Sequence, residues 1–118
     1  MREDLEAIDR TIHEPARLAI MTALSACHSA DFLYIQRLIG LTPGNLSSHL
    51  SKLDEAGLIW QAKEIRNKRT HTQIGLTDAG RAAIERHWQQ LDKLRHPVLT
   101  DGEAGEWPAG GVPAKKTP

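Results

Sequence analysis

Cysteine is almost missing from this chain. Cys27 stands alone among 118 residues, so no internal disulfide can form, and a reducing compartment suits it. A structural zinc site wants four ligands, and the adjacent Cys27 and His28 have no second cysteine to join them. Cys27 reads instead as a small buried or half-buried thiol, and His28 as a side chain suited to the negative end of a helix. Charge of one sign is also lacking. Lys and Arg together number 15, as do Asp and Glu, so any basic surface must be local. No apolar run nears the ~20 residues needed to span a bilayer. The opening MREDLEAIDR is charged throughout, unlike a secretion signal, and the expected location is the cytoplasm with no membrane partner. No internal repeat occurs, and no glycine loop of the kind that cradles phosphates.

What remains is the composition of one folded domain, 40% hydrophobic and 25% charged. Its best-marked stretch is GLTPGNLSSHLSKLDEAGLI, Gly40 to Ile59. Thr42 suits a helix N-cap, and Pro43 follows where a missing N–H costs nothing. Gly57 sits where a left-handed residue closes the helix. Leu46, Leu50 and Leu53 recur at the spacing of one buried stripe. The other face offers Gly44, Asn45, Ser48, Ser51 and Lys52, with Ser47 and His49 on its flanks. It lacks the Glu/Lys pairs that usually solubilise a helix. Short donors of this kind let a backbone come close and can reach phosphates and base edges. A merely solvated polar face is the competing reading, and on the helix alone both stand.

The periodicity predicts a short helix over residues 1–13, with Leu5, Ile8 and Ile12 as a thin stripe that needs something to lie against. A second helix opens at Pro15 as PARLAIMTALSA, with Leu18, Ile20, Met21 and Leu24 apolar. Asp31 and Phe32 form a brief extended piece, and LYIQRLIG makes a third helix ended by Gly40. Only Leu41 and the Thr42 cap separate it from the marked helix, the arrangement of a helix-turn-helix.

Beyond Gly57 the period becomes that of strands. LIWQAKEI and THTQIGL flank Arg66-Asn67-Lys68-Arg69, a hairpin with a basic tip. From Lys63 to Arg69 four cations face Glu64 alone. Such a tip can simply be solvated and guard a sheet edge; beside a helix-turn-helix it points to phosphate or minor-groove contact. Thr77 and Asp78 cap a last helix, DAGRAAIERHWQQLDKL, whose stripe of Ile84, Trp88 and Leu91 reads either as core or as a dimer surface. The sequence thus divides into a domain over 1–95 and a Pro/Gly-rich tail over 96–118, expected to be disordered, with Trp107 an incidental residue or a small docking motif.

The segments EPARLAIMTAL, LTPGNLSSHLSKLDEAGLI and LTDAGRAAI, with the basic hairpin between them, resemble the winged-helix transcriptional regulators of the MarR/ArsR type. The resemblance implies a mainly α fold with a small β-hairpin: a winged helix-turn-helix with extra N- and C-terminal helices. It implies a sequence-specific DNA-binding regulator acting as a homodimer on double-stranded DNA. The recognition helix, 42–56, would enter the major groove with Thr42 at its head and Gly44, Asn45, Ser47, Ser48, His49 and Lys52 facing the bases. The wing residues Arg66, Asn67, Lys68 and Arg69 would touch minor groove or backbone. Leu5, Ile8, Ile12, Ile84, Trp88 and Leu91 would form the dimer interface. The metal-ligand clusters of ArsR-type sensors have no counterpart here, so no cofactor or metal is expected, and no effector is assigned. The alternative is a winged helix serving as a protein-interaction module in a larger complex. An enzyme is not supported: Ser47 and His49 lie two apart on a helix and so do not face each other, and no carboxylate is expected to orient the imidazole.

Overall fold

The computed structural model describes residues 1–98; the tail expected from 96 onward, with Trp107, lies almost wholly outside them. The elements in chain order are α1 (Arg2–Glu6), α2 (Pro15–Ser25), β1 (Ala30–Asp31), α3 (Phe32–Ile39), α4 (Pro43–Glu55), β2 (Ile59–Arg66), β3 (Arg69–Leu76) and α5 (Asp78–Arg95). This is the winged helix-turn-helix that the sequence predicts, with flanking helices at both ends.

The first helix is shorter than expected. It stops at Glu6, and residues 7–14 turn instead of continuing to 13. The cause is local competition. Asp9 Oδ1 accepts from the Thr11 backbone N–H at 2.9 Å, giving the chain a side-chain alternative to helix. Pro15 then biases Glu14 away from helical dihedrals, and Glu14 is extended at φ −144°, ψ 133°. Ile8 and Ile12 are buried all the same.

Helices α2, α4 and α5 each begin at a side-chain cap, whereas Asp31 at the head of α3 makes no capping hydrogen bond. Glu14 Oε1 accepts from Arg17 N at 2.8 Å at the head of α2. Thr42 Oγ1 accepts from Asn45 N at 3.1 Å at the head of α4, and Thr77 Oγ1 accepts from Gly80 N at 2.9 Å at the head of α5. The end of α4 is a Schellman motif. Gly57 is left-handed at φ +74°, Leu58 N donates to Leu53 O at 3.0 Å, and Gly57 N donates to Asp54 O at 2.9 Å. This turns Leu58 straight back into the core beside Leu53.

The extended piece before α3 is a third strand. The sheet order is β1-β3-β2, all antiparallel, with Ala30 opposite Ile74 and Asp31 opposite Gln73. Phe32 belongs to α3 and not to the strand. In the hairpin, Ile59 pairs with Leu76 and the register runs without a bulge to Arg66 opposite Arg69. Only the base of the hairpin is buried. Ile59, Ile74 and Leu76 join Ile12, Ile20, Met21, Leu24, Ile35, Leu46, Leu50, Leu53, Leu58, Ala83 and Ile84 in one core. Gly80 permits α5 to approach the backbone just before β2: a Cβ there would lie 1.9 Å from Leu58 O.

Candidate nucleic-acid interface

Helix α4 is held from within and left open without. Leu46, Leu50 and Leu53 are essentially inaccessible, while Gly44, Asn45, Ser47, Ser48, Ser51 and Lys52 are all exposed, as is Thr42 at the cap. The periodicity that buries one stripe presents the polar stripe on the opposite side. With Pro43 and Thr42 fixing the first turn, these side chains project from a rigid element.

His49 differs from the rest of that set. Its side chain is 21% exposed and turned toward α2. Nδ1 lies 3.1 Å from Arg17 Nη1 and 3.8 Å from Glu14 Oε1. Glu14 is held below the usual carboxylate range chiefly by the Arg17 backbone N–H it accepts, with further help from the His49 and Arg17 charges against the opposing effect of burial. Arg17 in turn donates through Nε to Thr11 O at 2.5 Å. A network of Glu14, Arg17 and Thr11 therefore braces the α4 imidazole from the side. The sequence reading did not single out Glu14 or Arg17. A signal was present: Arg17 is the sole Lys or Arg between Arg10 and Arg37, and the only charged residue of α2.

The wing residues divide as well. Asn67 and Lys68 both have positive φ, 52° and 63°, giving a two-residue hairpin loop of the I′ kind, whose twist suits the flanking strands. Arg66 is committed to carboxylates. Its Nε is 3.0 Å from Glu64 Oε1, and its Nη2 is 3.5 Å from Asp31 Oδ1. The same Asp31 oxygen is 3.4 Å from His71 Nδ1, yet it is buried with no properly directed hydrogen bond. Lys63, Lys68 and Arg69 are exposed and form no ion pair with the described residues. The freest positive charge of the wing thus lies at Lys63, Lys68 and Arg69.

The six residues expected to line a dimer surface do not share one surface. Ile12 and Ile84 are 0% and 4% exposed, and Ile8 is also buried, so all three are turned into the chain's own fold. Sequence periodicity marks an apolar face without saying what covers it, and here the chain's own helices do. Leu5 remains 56% exposed and Trp88 41%, and Leu91 is half-buried beside Trp88. Helix α1 packs on α5, the helix that carries Trp88 and Leu91. Among the described residues there is no cluster of three metal-ligating side chains, and no helix long and apolar enough to cross a membrane.

A family model described as a winged helix DNA-binding domain matches residues 16–94. An uncharacterised protein of Methanocaldococcus jannaschii is 32% identical over 78 residues, covering 66% of this chain and 85% of that protein. Among solved structures, the transcriptional regulator homologue from Pyrococcus horikoshii OT3 superposes with a TM-score of 0.72 at 33% identity, over 80% of this chain and 92% of that one. The S. aureus MepR–DNA complex is similar in fold, with a TM-score of 0.60 at 20% identity over 80% of this chain and 74% of that one.

Proposed function

The chain belongs to the family of winged helix DNA-binding domains, and on that premise we propose that it is a sequence-specific transcriptional regulator that binds duplex DNA as a homodimer. Helix α4 enters the major groove. Asn45, Ser48 and His49 read base edges, Gly44 and Ser47 allow close approach, and Lys52 meets the backbone. Thr42 lies at the head of the helix near a phosphate. The wing reaches the minor groove or backbone through Lys68 and Arg69, with Asn67 shaping the tip and Arg66 held in reserve by Glu64 and Asp31.

The observation that carries this reading is the exposed row of short donors on a capped, core-anchored helix beside an unpaired basic hairpin tip. A solvated face needs neither rigid capping nor small side chains; a face that approaches a base-pair edge benefits from both. The Pyrococcus horikoshii relative, itself named a transcriptional regulator homologue, supports it further. The second subunit sits against Leu5, Trp88 and Leu91.

The test is selection of bound fragments from random or genomic DNA by the full chain. The expected result is an enriched inverted repeat, bound at least ~10³-fold more tightly than scrambled duplex, with half-sites about one helical turn, ~34–36 Å, apart. Failure to enrich any site, together with co-purification of a stable protein partner, would transfer the reading to an interaction module.

A further inference from the structure

Arg10, Arg17 and Lys52 converge on one cleft. It holds about 410 Å³ and is lined by these three cations with Thr11, Glu55 and Ala56. Arg10 comes from the turn between α1 and α2, Arg17 from the first turn of α2, and Lys52 from α4. Positions so far apart in sequence meet only because the residue 7–14 turn folds against the second half of α4.

Two features distinguish this cleft from a chance gathering of surface charge. Arg17 is fixed: its Nε donates to Thr11 O, and its Nη1 lies against His49 Nδ1. A guanidinium already oriented loses little freedom when it engages an anion. Arg10 and Lys52 are exposed, and neither makes an ion pair with the described residues. The sole carboxylate lining the cleft is Glu55; nearby Glu14 accepts the Arg17 backbone N–H through its Oε1. The cleft therefore keeps an excess of positive charge.

Its position follows from helix geometry. Asn45, His49, Lys52 and Ala56 recur at i, i+4, i+7 and i+11, so they run along one flank of α4. The cleft continues that flank. A helix of ~10–12 Å diameter fills a major groove ~12 Å wide, so its flanks lie against the bordering phosphates. We propose that the Arg10–Arg17–Lys52 cleft is a phosphate site that grips the DNA backbone bordering the groove entered by α4. This rests on the DNA-binding reading above. It adds a third contact region, built from the turn before α2, to the recognition helix and the wing.

Arg10 is the residue to change, because it is exposed and bonded to nothing the fold requires. The full chain, as wild type and as Arg10→Gln, is titrated by fluorescence anisotropy on its selected operator and on scrambled duplex across a range of salt. Arg86→Gln, an exposed position on α5 outside the cleft, matches the change in charge. Arg10→Gln should weaken binding to both duplexes alike and make the log–log salt slope shallower by ~0.9, the contribution of one phosphate contact. Arg86→Gln should leave the slope as in wild type. A wild-type slope for Arg10→Gln, or equal shifts for both variants, overturns the inference while leaving the DNA reading intact. Absence of duplex binding by the wild type overturns the DNA reading and the inference with it. A pyrophosphate titration followed by amide NMR separates a free anion from the backbone: saturation at Arg10, Arg17 and Lys52 without a slope change for Arg10→Gln assigns the cleft to a small anion and overturns the proposal.

Discussion

Arg17 Nη1 stands 3.1 Å from His49 Nδ1, joining the start of α2 to the middle of α4. A guanidinium can only donate, so Nδ1 must accept, and the proton of the neutral ring is left on Nε2. One side chain of α2 therefore sets which atom of the α4 imidazole is a donor. Long-range proton–nitrogen correlation spectra at pH above 7 should show His49 as the Nε2–H tautomer. Arg17→Leu should release a mixture of both tautomers. A wild-type ring carrying its proton on Nδ1 would contradict the bond.

Asn45 and Lys68 should separate base reading from phosphate binding. Asn45 is exposed on rigid α4, where one lost base contact costs ~1–3 kcal/mol at one position of the site. Asn45→Ala should relax preference at particular base pairs while keeping affinity for scrambled DNA. Lys68→Ala should weaken all sequences alike and lower the salt slope by about one. Equal loss on operator and scrambled DNA for Asn45→Ala would reverse these roles.

The wing tip allows charge and fold to be moved in opposite directions. Lys68 holds φ 63°, a conformation that costs an L-residue about 1 kcal/mol and glycine very little. Lys68→Gly should therefore leave the melting temperature unchanged or raise it, while reducing the salt slope as Lys68→Ala does. A variant with both lower stability and an unchanged slope would mean that Lys68 serves the turn and not the DNA.

How much of this was legible in the sequence follows from how local each signal is. The α4 boundaries came within a residue because Thr42, Pro43 and Gly57 act on their immediate neighbours. The strands of the hairpin were readable for the same reason, since Asn67 and its neighbours mark the turn. The bracing of His49 was not readable, because it depends on a partner 32 residues away. Nor could the stripe Leu5, Ile8, Ile12 be divided into buried and exposed members. That division depends on where the turn at Asp9 places each side chain against α5, and periodicity alone carries no such information.

The exposed end of α1 and α5 should be where two copies meet. Leu5 on α1 is 56% exposed, and on α5 Trp88 is 41% exposed beside half-buried Leu91. Trp is enriched among residues that dominate interfaces. Trp88→Asp should give a folded monomer by analytical sedimentation, with operator affinity reduced by far more than any single cation substitution. Wild type that sediments as a monomer at micromolar concentration would remove the dimer from the proposal.

His87 should make the fold sensitive to mild acid. It is 1% exposed, its Nε2 lies 3.3 Å from His13 Nδ1, and its own Nδ1 has no partner. Burial chiefly, then the charge of His13, pushes its pKa below the ordinary 6.5, with Asp9 opposing weakly. The unfolded chain then binds a proton at a pH where the folded chain resists it. Stability should be level above about pH 6.5 and fall as the pH drops from there toward the lowered folded value. Glu14 behaves separately: its folded pKa lies below 4.5, so the stability it contributes is present above that value and disappears only in stronger acid. Melting temperatures at pH 7.5 and pH 5.5 should therefore differ in the wild type and differ much less in His87→Leu, which removes the titrating ring from the core. Glu14→Gln should retain the loss between those two pH values, while lowering the melting temperature at both through a weakened α2 cap, by about 1 kcal/mol. If His87→Leu keeps the full wild-type difference between pH 7.5 and pH 5.5, the sensitivity arises at another group and His87 has no part in it.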